Sequence, residues 1–172
     1  MAMKRTDVII SGGGMVGLTL ALALGQGGLE VVVVDTMPKA EILVPAFDGR
    51  VSALAYAVVR MLRALSVWPH LEAEAQPIRE ILVSDGAVGR TASPFSLHFD
   101  AQEVGADSLG HIAENRHIRA ALYAAMADQK NITLIAPASV ASLTVETGHV
   151  TAKLSDGRQF QATLAVAADG RE

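Results

Sequence analysis

Residues 8–35, VIISGGGMVGLTLALALGQGGLEVVVVD, decide how the chain folds. Val8-Ile9-Ile10 is a short apolar run of the kind that forms a parallel strand buried on both faces. GGGMVG follows, a G-x-G-x-x-G pattern carried by Gly12, Gly14 and Gly17. From Met15 the residues are apolar nearly all round, which suits a helix packed inside a domain. Gly27-Gly28 ends that helix, and Glu30 to Asp35 forms a second strand that closes on an acid.

This spacing has a chemical meaning. Gly12 permits a tight turn, Gly14 lets the backbone approach a pyrophosphate, and Gly17 lets the helix pack closely on the strand. The helix N-terminus at Met15 offers free N–H groups and partial positive charge to phosphates, each such effect being worth roughly 0.3–1 kcal/mol. Asp35 stands 18 residues past Gly17, where an acid accepts hydrogen bonds from an adenosine ribose. Strand, glycine turn, helix, strand and acid in this order predict dinucleotide binding.

Two other readings of the stretch fail on composition. Asp7 and Glu30 enclose 22 uncharged residues, about the length of a membrane span, and the start MAMKR imitates a secretory leader. Seven of those 22 are glycines, however, and Asp7 interrupts the positive leader. The helical part is too short to cross a bilayer.

With 172 residues the chain is long enough for one domain with a full core. Apolar residues make up 51% and charged residues 19%, which excludes a disordered chain. A net charge of −4 argues against a nucleic-acid partner, because phosphate-backbone binding needs clustered Lys and Arg. The absence of cysteine excludes disulfides, thiolate metal sites and cysteine nucleophiles, and is compatible with a cytoplasmic location. The five histidines, His70, His98, His111, His117 and His149, have no metal-ligand spacing. No Ser-His-Asp or paired-carboxylate arrangement stands out, so no catalytic residue is assigned.

After the first unit, residues 36–49 read as a loop ending in FDGR. Ser52 is placed to cap a helix running to Leu65, with Leu54, Val58, Leu62 and Leu65 on one face. Residues 68–75 predict another short helix, stopped by Pro77. Residues 78–84, 95–99 and 110–113 read as strands of an antiparallel sheet, with a turn at Asp85-Gly86. Asn115 opens a helix through Ala127, striped by Ile118, Leu122 and Met126. Residues 132–135 return to a parallel-type strand, and 140–145, 150–154 and 160–164 form a meander. Residues 165–168 then run into Asp169-Gly170.

Four features now stand in order: GGGMVG, Asp35, FDGRVSALA at 47–55 and AVAADG at 165–170. The chain resembles the single-component, FAD-dependent aromatic hydroxylases, the para-hydroxybenzoate hydroxylase group. FDGRVSALA, with VSD at 83–85 and GHIAEN at 110–115, is most similar to the ubiquinone-biosynthesis branch. The resemblance implies an α/β, Rossmann-like FAD-binding fold with a parallel sheet, a β-meander and the start of an antiparallel substrate sheet at about 77–113. It assigns Gly12, Gly14, Met15, Gly17 and Asp35 to the ADP part of FAD; many relatives carry Glu at the Asp35 position. Arg50, Asn115 and Arg119 are implied as further cofactor contacts. Taken by themselves these three are a loop charge, a helix cap and a solvated surface charge. Asp169 and Gly170 match a motif lying near the pyrophosphate that helps bind NAD(P)H.

Members of that group are more than twice as long, and their later Gly-Asp motif, which holds the ribityl chain, is not in this sequence. The chain is therefore expected to be the N-terminal portion of a longer hydroxylase, inactive alone and inclined to dimerise through uncovered apolar strands. The complete enzyme would use FAD, NADH or NADPH and O2 to hydroxylate an aromatic ring, with a small aromatic or polyprenyl phenol as substrate. Such a substrate implies work at the inner membrane surface or within a biosynthetic complex. Alternatives remain open here: another FAD-dependent reductase or halogenase, an NAD-binding dehydrogenase domain, or a non-catalytic nucleotide-binding remnant.

Overall fold

A computed structural model describes residues 3–43, 47, 49–86, 88, 89 and 95–170, with backbone alone at 42 and 43. The chain begins with β1 (Lys4–Ser11), α1 (Met15–Gln26), β2 (Val31–Val34), α2 (Lys39–Leu43), β3 (Val51–Ala55) and α3 (Tyr56–Ala64). After two 3-10 turns come β4 (Gln76–Ile78), β5 (Glu80–Ser84), β6 (Ser96–Asp100) and β7 (Gly110–Glu114). The chain closes with α4 (Asn115–Ala127), β8 (Ile132–Ile135), β9 (Val140–Glu146), β10 (His149–Leu154) and β11 (Gln159–Ala167).

The central sheet has the order β8-β2-β1-β11-β10-β9. Its first four strands are parallel, and β9, β10 and β11 form an antiparallel meander. Alternation along β1 sends Val8 and Ile10 to one face and Ile9 to the other. On the first face they pack with Val31 and Val33 against Leu18 and Leu22 of α1 and Leu122 of α4. On the second face Ile9, Val32 and Val34 pack with Val150, Leu154 and Phe160 of the curled meander. All four residues of β2 are buried, as a strand covered on both sides requires.

Glycine makes the close approach of α1 possible. A Cβ on Gly17 would overlap the carbonyl oxygen of Gly12, and one on Gly12, at φ 107°, would overlap the backbone of Ala168. Strand, turn and helix therefore sit against the end of β11 with no room for a side chain.

Four expectations need correction. Ser52 caps no helix: residues 51–55 are a strand paired with β7, and the helix begins at Tyr56. Ser-Ala-Leu-Ala suits a helix locally, but the β7 ladder takes up its backbone groups. Residues 78–84 are not one strand. The chain breaks at Arg79, where Ile78 and Arg79 carbonyls accept from Leu109 and Ala101 N–H, and β4 and β5 join different sheets. The loop at 36–49 contains α2, and Asp48 of FDGR lies outside the described residues. Residues 159–167 form one continuous strand where a meander strand and a separate run were expected. Among the described residues, no helix is long and apolar enough to cross a membrane.

Candidate cofactor site

The parallel strands β1, β2 and β11 end at one edge, where the turns that follow them meet. There a cleft of about 350 Å³ is lined by Gly12, Gly14, Met15, Asp35, Asp169 and Gly170, among others. Six of the ten residues expected to touch cofactor thus share one cavity. Gly17 stands behind it as the packing residue.

The chemistry of the lining suits a dinucleotide. Gly14 precedes α1 in extended conformation, and a Cβ added there meets nothing within 4 Å. The first N–H groups of α1 have no carbonyl one turn earlier to bond and remain available to an anion. Asp35 accepts from Gly13 N–H at 2.5 Å and from Met37 N–H at 2.7 Å. A carboxylate offers about four lone-pair positions, so acceptor capacity remains for a ribose hydroxyl. The Ser11 hydroxyl donates to Asp169 at 3.0 Å, joining the ends of β1 and β11.

Tyr123 was invisible as a site residue in the sequence. It is 3% exposed, and its hydroxyl donates to the Gly13 carbonyl at 3.3 Å. Burial first, then the nearby Asp35 carboxylate, pushes its pKa up to about 12, while Arg119 pulls the other way. The phenol therefore stays protonated and braces the glycine loop from behind. The partner lies 110 residues away, and an apolar helix stripe gives no hint of it.

Arg50, Asn115 and Arg119 do not line the cleft; Arg50 and Asn115 meet where β3 begins and α4 starts, and Arg119 lies one turn further along α4. The Asn115 N–H donates to the Arg50 carbonyl at 2.9 Å, and the Ser52 hydroxyl donates to the Asn115 carboxamide oxygen at 2.6 Å. Asn115 is the first helical residue and not a cap, the N-cap position being Glu114 without a side-chain bond. Its amide nitrogen makes no hydrogen bond among the described residues, which leaves it free to donate to a ligand. Arg116 lies over the Phe47 ring at 5.3 Å and bonds Glu114 at 2.6 Å, so the FDGR segment is fastened to the start of α4. Arg119 and Tyr123, one and two turns beyond Asn115, connect this group to Gly13.

Residues 5–172 match the family described as FAD binding domain. The chain belongs to that family. The cofactor of that family is FAD. The chain is 42% identical to ubiquinone hydroxylase UbiL of Rhodospirillum rubrum, over 99% of its own length and 38% of that protein. It is 31% identical to 3-demethoxyubiquinol 3-hydroxylase of Escherichia coli, covering 99% of this chain and 42% of the relative. The structure of the flavin-dependent monooxygenase PieE, in complex with FAD and substrate, shares the fold with TM-score 0.75 at 22% identity, over 98% of this chain and 31% of that one. The FAD-binding domain thus spans about two fifths of the curated relatives it matches.

Proposed function

We propose that this FAD-binding domain serves a flavin monooxygenase that hydroxylates an aromatic ring, and that the ring belongs to a polyprenyl phenol of ubiquinone biosynthesis. The observation that carries the reading is the 42% identity to a ubiquinone hydroxylase over nearly the whole chain, glycine-loop cleft included. NADH or NADPH and O2 are the co-substrates of that reading, and FAD supplies the redox chemistry. Residues 1–172 then form the N-terminal portion of the enzyme, with about 77–113 beginning the sheet that faces substrate.

Each residue has a stated task. Gly14 and Met15 present backbone N–H groups to the pyrophosphate, Gly12 makes the tight turn with its own N–H bonded to the Val34 carbonyl, Gly17 holds α1 against β1, and Asp35 accepts from the adenosine ribose. Asp169 and Gly170 border the pyrophosphate on the side where the nicotinamide cofactor is received. Arg50, Asn115 and Arg119 offer donors to the flavin half; the uncommitted amide of Asn115 supports this. A polyprenyl substrate favours association with the membrane surface or with a biosynthetic complex, and the exposed strands β5 and β6 favour pairing with a second copy.

The test is turnover. The complete protein, given FAD, NAD(P)H and O2, should convert a polyprenyl phenol to its hydroxylated product. NAD(P)H oxidation without an oxygenated product would point instead to a reductase.

A further inference from the structure

The antiparallel side of the molecule carries a second cleft, of about 650 Å³, that shares no lining residue with the glycine-loop cleft. Tyr56, Arg60 and Arg63 of α3, Arg79 between β4 and β5, Ser108 and His111 contribute to its walls. Helical spacing brings Tyr56, Arg60 and Arg63 onto one side of α3. Strand register separates the two sites. This cleft adjoins the Ala55–Gly110 end of the β3–β7 ladder, whereas Arg50, Ser52 and Asn115 gather at the Val51–Glu114 end. Those ends are four residues, or about 13 Å, apart along the strand.

The lining sets three guanidinium groups against one carboxylate, Asp107. The Arg60 and Arg79 guanidiniums make no hydrogen bond or ion pair among the described residues, and that of Arg63 rests 5.4 Å from the Trp68 ring centroid. Trp68 in turn meets His111 edge-on at 4.8 Å, and the His111 Nδ1 is buried with no hydrogen-bond partner among the described residues. Burial, and then the Arg63 charge, holds the His111 pKa below its ordinary value, with Glu72 opposing. Three like charges set against a single carboxylate carry a cost that an anion removes.

We propose that this cleft binds a phosphate-bearing ligand, held by Arg60, Arg63 and Arg79 and by the hydroxyls of Tyr56 and Ser108. Guanidinium forks match phosphate oxygens two at a time. Three cations against Asp107 leave two positive charges, the complement of a phosphate monoester or pyrophosphate dianion. The phosphate could come free in solution or as part of a nicotinamide dinucleotide, and the chemistry of recognition is shared.

The test uses the complete protein loaded with FAD, so that the glycine-loop cleft is filled. Calorimetric titration with inorganic pyrophosphate should show saturable binding, weakened roughly 10-fold or more in the Arg60→Gln/Arg79→Gln double variant. FAD content and urea midpoint should stay unchanged in that variant. The His111 ring resonances should titrate at higher pH once pyrophosphate is bound, because the dianion offsets the Arg63 charge. Displacement by NADP+ would identify a dinucleotide as the phosphate source, and pyrophosphate binding indifferent to NADP+ would identify free phosphate; either upholds the site. No saturable pyrophosphate binding, or equal affinity in the double variant, overturns it.

Discussion

The glycine-loop cleft and the antiparallel side built on β3, β7, β5 and β6 are organised in opposite ways. Around the cleft, β1 and β2 are buried on both faces, the turn is locked by backbone against backbone, and two N–H groups hold the Asp35 carboxylate. On the other side β5 and β6 form a two-stranded sheet that exposes Leu82 at 68% and Leu97 at 64%. A two-stranded sheet has little stability alone, and a patch of this kind is normally covered by something else. The contrast separates a part of the molecule whose binding surface is finished from a part that still presents apolar surface.

The largest effect should come from the finished part. Gly17→Val places side-chain atoms where the Gly12 carbonyl already sits, so the helix must move off the strand. A loss of about 3 kcal/mol or more is expected in urea unfolding, with FAD binding lost as well. Gly14→Ala sharpens the point, because its Cβ meets nothing in the protein and its φ of −74° suits any residue. That variant should fold normally yet hold FAD more weakly, since its methyl group stands where phosphate would approach. Equal unfolding midpoints for both variants would break the distinction between packing glycine and binding glycine.

Next in size is Tyr123→Phe, which removes one hydroxyl bond to the loop and should cost about 0.5–1.5 kcal/mol. The wild-type protein carries a pH signature here. A phenol whose folded pKa is about 12, above the ordinary value of 10, contributes stability that is complete below pH 10 and is lost as pH rises toward 12. Unfolding midpoints from pH 9 to 12 should fall more steeply in wild type than in the variant; parallel curves would remove Tyr123 from its bracing role. The smallest change in stability belongs to the unfinished side. Leu82→Ser with Leu97→Ser should shift stability by no more than about 0.5 kcal/mol per site, yet lower self-association of residues 1–172 in sedimentation.

The same contrast governs what could be read in advance. Residues 8–35 were legible because the contacts that define the motif are close in sequence: Gly17 packs on Gly12, and the acid closes the next strand. Strand β3 was not legible, because its pairing partner begins at Gly110 and Ser-Ala-Leu-Ala carries no period that distinguishes strand from helix. Tyr123 at Gly13 and Asn115 at Ser52 depend on contacts across 110 and 63 positions. The arginines of the second cleft are scattered over α3 and the β4–β5 junction, and only the fold brings them together.

The central claim is that Asp35 binds the adenosine ribose of FAD at the edge where β1 and β2 end. Its direct test is calorimetric FAD titration of the complete protein against Asp35→Ala, with urea midpoints measured alongside to exclude unfolding. Loss of a charge-assisted hydrogen bond, about 1.5–3 kcal/mol, should weaken FAD binding roughly 10- to 150-fold. Unchanged FAD affinity in a folded Asp35→Ala protein would contradict the assignment.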